Sequence, residues 1–222
     1  MQRFNQAESK QQYNTHILQY KTHHFIKKTH IILLLINVAL ITGFGSLFLV
    51  RLNYEFITYV GVIIFFLFLI LISVKKVNYT PGALIGLTVW SALHLAGGAV
   101  IIGEGRLYDV ILINLSDTYP VWRYDQLVHT WGFGACTLVV YSLLAGHLRK
   151  PLRNSAELCI VVVMAALGIG ALNEIIESVV SLIVPESGVG GYINTLLDLF
   201  ADLIGAILGM LYIRLRYLKT GI

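Results

Sequence analysis

The segment YDQLVHTWGFGA, residues 124–135, places an acid and a histidine, Asp125 and His129, four residues apart. That spacing puts both on one face of a helix. NEIIE at 173–177 pairs Glu174 with Glu177, and DLFAD at 198–202 pairs Asp198 with Asp202. HLAGG at 94–98 adds His94, which shares a helical face with Ser91, Gly97 and Gly98. Two histidines with several carboxylates form a ligand set that suits zinc, manganese or iron, and paired carboxylates also suit general acid–base work. One DxxxH pair alone says little. Three pairs and a further histidine at a common depth say more.

All of these residues fall in apolar stretches. The chain has 222 residues, of which 57% are hydrophobic and 13% charged, and its mean hydropathy is +0.76. A soluble domain carries roughly 25% charged residues. The sequence therefore reads as an integral membrane protein. Six spans are expected, at 31–50, 57–74, 81–102, 125–147, 157–184 and 195–217. Most have about the 20 apolar residues needed to cross ~30 Å of hydrocarbon. The expected fold is an all-α polytopic bundle of six transmembrane helices. The fifth span is long, so it kinks at Gly168 and Gly170 or tilts. The first 28 residues are polar and the first apolar run is long enough to span, so no cleavable signal peptide is expected. Cys136 and Cys159 fall in different spans and read as free apolar thiols.

Lysine and arginine orient the spans. The amino-terminal tail, the loops after spans two and four and the carboxyl tail hold thirteen of the sixteen basic residues. They include Arg3, Lys10, Lys21, Lys27, Lys28, Lys75, Lys76, Arg149, Lys150, Arg153, Arg214, Arg216 and Lys219. The other side has Arg51, Arg106 and Arg123. Both termini are thus expected in the cytoplasm. With the basic residues at membrane edges, the net charge of +4 is no sign of a nucleic-acid partner. The tail carries four of the seven histidines, which suits an interfacial basic segment better than a metal-binding tract. LYDVILI, in the outer loop at 103–123, reads as a short interfacial or re-entrant piece.

Ten of the twelve acidic residues, including Asp117 and Glu186, fall on the outer half. At ~1.5 Å per residue, His94, His129, Glu174, Glu177, Asp198 and Asp202 all lie about 5–15 Å below the outer helix ends. Each of these four helices has one stripe of polar or small residues, and the stripes are expected to face one another. Spans one and two lack one. The expected organisation is a polar tail at 1–30, a flanking pair at 31–78 and a four-helix functional module at 79–218. Five carboxylates, those of Asp125, Glu174, Glu177, Asp198 and Asp202, have no lysine or arginine at their depth. Arg106 and Arg123 reaching down from the outer loop would leave them unbalanced. An unpaired buried ion costs several kcal/mol, so these groups are protonated, hydrated or bound to cations.

Three functional classes fit. In the first, a metal-dependent enzyme acts on a lipid or lipid-linked substrate, with His94, His129, Glu177 and Asp202 as central metal ligands. Asp125, Glu174 and Asp198 then serve as bases or supporting ligands. In the second, a small proton- or cation-coupled transporter cycles the same carboxylates, although no inverted repeat is visible. In the third, a structural polar network ties the helices of an accessory subunit together.

HLAGG, YDQLVHTWGFG, NEIIE and NTLLDLFADLIGAILG at 194–209, in this order and spacing, resemble the YjdF-like family of bacterial inner-membrane proteins, classed as a domain of unknown function. The likeness covers roughly residues 79–215. It implies a multi-pass protein of a bacterial plasma membrane and supplies no substrate. A more distant similarity is to VanZ-like proteins. Glu177 stands where those tend to have Gln, and their resistance role is not carried over.

Overall fold

The computed structural model describes residues 27–114, 121–148, 155–184, 187–188 and 190–218. Most of the tail at 1–30, with Asp117, Arg149, Lys150, Arg153, Glu186 and Lys219, lies outside them. The six expected spans are six helices: α1 Lys28–Val50, α2 Tyr54–Ser73, α3 Pro81–Ala99, α4 Tyr124–Ala145, α5 Ala156–Ile183 and α6 Tyr192–Ile213. All six are long and apolar enough to cross a membrane. Local sequence sets several starts. Asn53, Thr80 and Ser155 each accept a hydrogen bond from the backbone N–H three residues on, and Pro81 follows Thr80 at the first helical position. The long fifth span is one continuous helix of 28 residues. At ~1.5 Å per residue that exceeds the ~30 Å of hydrocarbon, so it either tilts or projects.

Successive helices run in opposite directions. One end of the bundle carries the connections at 51–53, 100–123 and 184–191, and the other carries those at 74–80 and 146–155. Among the described residues, Lys27, Lys28, Lys75, Lys76, Arg214 and Arg216 lie at the second, basic end, and Arg51, Arg106 and Arg123 lie at the first.

The closest helix pair is α4–α6. A Cβ on Gly205 would sit 2.1 Å from the Thr130 carbonyl oxygen, and one on Gly209 would sit 2.5 Å from the Gly134 carbonyl oxygen. These glycines let the two backbones touch, which no larger residue would permit. α3 packs on the far side of α4, and α5 completes the group against α6. In the basic-end half the interior is apolar, built from Ala83, Leu138, Leu158, Val162, Met210 and Ile213. Cys136 and Cys159 border that cluster as free thiols. α1 and α2 pack along α3 through Phe48, Phe56, Tyr59, Ile63 and Leu95. Side chains such as Ile160, Val161 and Met164 point outward and are exposed, as lipid-facing residues are.

The described parts of the long connection, 100–114 and 121–123, lie over the first end. Gly103, at φ +62°, turns a two-residue hairpin between β1 Ile101–Ile102 and β2 Gly105–Arg106. A 3₁₀ turn at Leu107–Asp109 then lays the Tyr108 ring against Gly97. LYDVILI is therefore this turn plus an extended stretch that bridges Ile111 to Arg123, with Ile111, Leu112 and Ile113 exposed. It lies across the end of the bundle.

Candidate functional site

The polar stripes of α4, α5 and α6 meet at the covered end. His129 on α4 is the centre, and its ring is buried. Its Nδ1 donates to Asp202 Oδ1 at 2.9 Å and lies 3.8 Å from Glu174 Oε1. Its Nε2 lies 3.7 Å from Asp125 Oδ1 and 4.0 Å from Glu177 Oε1. One histidine thus faces four carboxylates from three helices.

Asp198 is fully buried and is held by amides. Gln126 Nε2 donates to one oxygen at 2.6 Å, and Asn194 Nδ2 donates to the other. Asn194 also reaches Asp125 Oδ2 at 3.3 Å, and Asn173 Nδ2 donates to Glu177 Oε1 at 2.8 Å. These neutral donors orient the carboxylates and stabilise their charge by roughly 1.5–3 kcal/mol per bond. They do not cancel it.

Arginine does not cancel it either. Arg106 Nη1 lies 3.1 Å from both Glu55 oxygens, and its Nε lies 3.4 Å from Asp109 Oδ2. Burial works against its charge, but Glu55 and Asp109 outweigh that and hold the guanidinium above its ordinary range. Arg106, expected to reach toward the five carboxylates without balancing them, is engaged by Glu55 and Asp109 instead. Glu55, from the first turn of α2, closes the corner by accepting from the Gly188 N–H at 2.7 Å.

Two carboxylate oxygens in the cluster, Glu174 Oε1 and Asp202 Oδ2, have no hydrogen-bond partner among the described residues. Both residues are buried, Glu174 to 4% exposure and Asp202 to 0%. Two triads could hold a cation, Asp125–His129–Asp198 and His129–Glu174–Glu177, each offering one ligand atom per residue within 4.8 Å of the others. The donor set of imidazole and carboxylate fits zinc, manganese or iron.

His94 stands apart from these triads. Its ring stacks on Trp90 at 5.3 Å and meets Tyr59 edge-on, and its Nδ1 lies 2.5 Å from the Tyr108 hydroxyl. Burial pushes that hydroxyl well above its ordinary range, so it stays a donor. His94 still borders the same cavity as Asp125 and Glu177, together with Tyr59, Arg106 and Asn194. The cavity is about 30 Å³. A water molecule's share of the liquid is ~30 Å³, so the enclosed space holds a water or an ion, and a larger substrate would be met only at its mouth.

Gly170 shapes the floor. A Cβ there would lie 2.2 Å from Asp202 Oδ2. Gly170→Ala is expected to swing this carboxylate off His129 and weaken any bound divalent cation at least tenfold, as loss of an orienting partner does. A cation titration with a competing chelator would measure it.

The residues that sequence reasoning missed are Glu55, Gln126, Asn173 and Asn194. The three amides sit one, one and four positions from named acids, so the local signal was there. Glu55 had none, because its partner Arg106 is 51 positions away.

No curated protein and no solved structure matches the chain. The family described as "Predicted membrane protein (DUF2238)" matches residues 29–219. That agrees with the YjdF-like resemblance and with a multi-pass architecture. The chain belongs to this family of membrane proteins.

Proposed function

We propose that the chamber binds a divalent cation beside His129 and that the protein is a metal-dependent enzyme acting on a lipid or lipid-linked group. The observation that carries this reading is the pair of buried oxygens without a hydrogen-bond partner, Glu174 Oε1 and Asp202 Oδ2, in a cluster where, among the described residues, no arginine is ion-paired to a carboxylate. Arg123 borders the same cavity with its own Nε lacking a hydrogen-bond partner among the described residues. His129 would present Nε2, since Asp202 engages Nδ1, in the carboxylate–histidine arrangement that fixes a metal-binding imidazole. Asp202 thereby orients His129 and stands outside both triads. Asp125 and Glu177 flank Nε2, and Glu174 completes the second triad. A cation held there would supply Lewis acidity toward a water or a substrate oxygen. Asp125 borders the cavity and is partly exposed, so it is the carboxylate best placed to take up a proton. Both oxygens of Asp198 are occupied by amides, which suits a positioning role. His94, held in its aromatic box, would meet substrate at the mouth.

Residues 79–218 would form the functional module and 31–78 the flanking pair, which lends Glu55 and Tyr59 to the mouth. The setting would be a bacterial plasma membrane, with both termini cytoplasmic and the chamber on the outer face. The gathering of five carboxylates around His129 within the spans favours a second reading, proton- or cation-coupled transport. Against it, the interior beyond Asp202 is the apolar cluster of Leu138, Val162, Met210 and Ile213, which offers an ion no path to the basic end.

Elemental analysis of protein purified without chelator is expected to find about one zinc, manganese or iron per chain, lost in Glu177→Ala. Metal-free wild type, together with pH-driven uptake into proteoliposomes that Glu177→Gln abolishes, would overturn the enzyme reading in favour of transport.

A further inference from the structure

A second cavity lies in the other half of the bundle, between α1, α2 and α3. It measures about 340 Å³ and is bordered by Leu34, Leu67, Leu87, Thr88 and Trp90, with His30 at its basic end. Its polar residues are turned to one another. Asn37 Nδ2 donates to the Leu33 carbonyl and to Thr88 Oγ1, both at 2.8 Å. Thr88 donates to the Leu84 carbonyl and Ser91 to the Leu87 carbonyl, each at 3.0 Å. The wall therefore offers hydrocarbon and almost no open donor or acceptor. Such a space stays dry and takes apolar matter.

Size and charge narrow the occupant. At ~30 Å³ per methylene, taken as equal to one water's share of the liquid, the cavity holds on the order of ten methylene groups. That is one acyl chain, and far less than a packed helix. Along α2 it runs from Ile63 to Val74, roughly 16 Å at 1.5 Å per residue. It opens at the basic end, where exposed lysines gather. Lys75 and Lys76 follow Val74 directly, and Lys27 and Lys28 precede His30. Lysines beside a bilayer surface attract anionic head groups.

We infer that this groove is a binding site for one anionic phospholipid of the basic-end leaflet, with an acyl chain between α1, α2 and α3 and the phosphate among Lys27, Lys28, Lys75 and Lys76. The site is separate from the His129 chamber and does not depend on its proposed function. The two meet at Trp90, which borders the groove and stacks on His94.

The test reconstitutes the full chain in nanodiscs of phosphatidylcholine carrying a trace of phosphatidylglycerol or phosphatidylcholine with a photoactivatable acyl chain. Crosslinks are then mapped by peptide mass spectrometry. The phosphatidylglycerol probe is expected to label groove residues of α1–α3 about fivefold or more above the lipid face of α5 at Ile160, Val161 and Met164. Lys75→Gln with Lys76→Gln, two exposed positions that leave the helices intact, is expected to remove that excess. Leu87→Trp, which fills the groove, is expected to remove it while metal content stays at the wild-type level. Even labelling of all lipid-facing helices, equal labelling by the two probes, or crosslinking of the groove to a second copy of the chain would overturn the inference.

Discussion

His129→Ala is expected to lose divalent-cation binding altogether, with affinity falling by more than about 100-fold. The reason is its central place: both candidate triads use His129, so one substitution removes a ligand from each. Removing only its orienting partner should do less. Asp202→Asn keeps a hydrogen-bond acceptor near Nδ1 but lowers the charge, and a loss of about 10–100-fold is expected, as for other groups that hold a ligating histidine. The order matters more than either value. If the carboxylates alone held the ion, His129→Ala would bind nearly as well as wild type and Asp202→Asn would be the more damaging change. Chelator-competition titrations on both variants, with circular dichroism to confirm intact helices, would decide it. His129→Ala also leaves Asp202, fully buried, without its hydrogen-bonded partner. Breaking a buried pair costs about 3–5 kcal/mol, so His129→Gln is a useful companion that retains a polar side chain.

Gly205→Ala should be among the most destabilising single-carbon changes in the chain. The added Cβ would meet the Thr130 carbonyl oxygen at 2.1 Å, with the Thr130 carbonyl carbon at 2.9 Å and its Cα at 3.0 Å. All three belong to backbone, so no side-chain rotation relieves the contact. α4 and α6 would have to separate, and the hydrogen bond from Thr130 Oγ1 to the Ala201 carbonyl, 3.3 Å, would open with them. Overpacking of this kind costs about 1–3 kcal/mol, and a backbone clash belongs at or above the top of that range. Gly168→Ala is the control. Nothing lies within 4 Å of its added Cβ, so only helix propensity changes, by up to ~1 kcal/mol in the stabilising direction. Unfolding in mixed detergent micelles should therefore move in opposite directions for the two variants. Equal shifts would remove the close-contact explanation.

Much of this was legible in the sequence, for identifiable reasons. Helices that cross a bilayer must be long and apolar, so composition alone outlines them, and the ends differ from expectation by only a few residues. The pairs on α4, α5 and α6 were legible because helical spacing fixes which residues share a face. Spacing does not fix how helices are rotated against each other. His94 has the same depth as His129, but its face turns into an aromatic box with Trp90, Tyr59 and Tyr108. Glu55 lies in a span without a polar stripe, and its tie to Arg106 depends on how the hairpin at 101–106 folds back. No periodicity encodes that.

The apolar floor beneath Asp202 has an electrical consequence. Asp202 lies ten residues into α6, about 15 Å at 1.5 Å per residue, close to half the ~30 Å hydrocarbon thickness. A unit charge crossing the whole membrane gains or loses about 2.3 kcal/mol per 100 mV. A divalent ion entering from the covered end and halting at the floor would cross up to half of that field, and its occupancy would change by up to about 2 kcal/mol per 100 mV. Were the chamber on the outer face, as proposed, an inside-negative potential would draw the ion inward. Energised cells would then keep the site loaded at cation concentrations that leave it empty in depolarised ones.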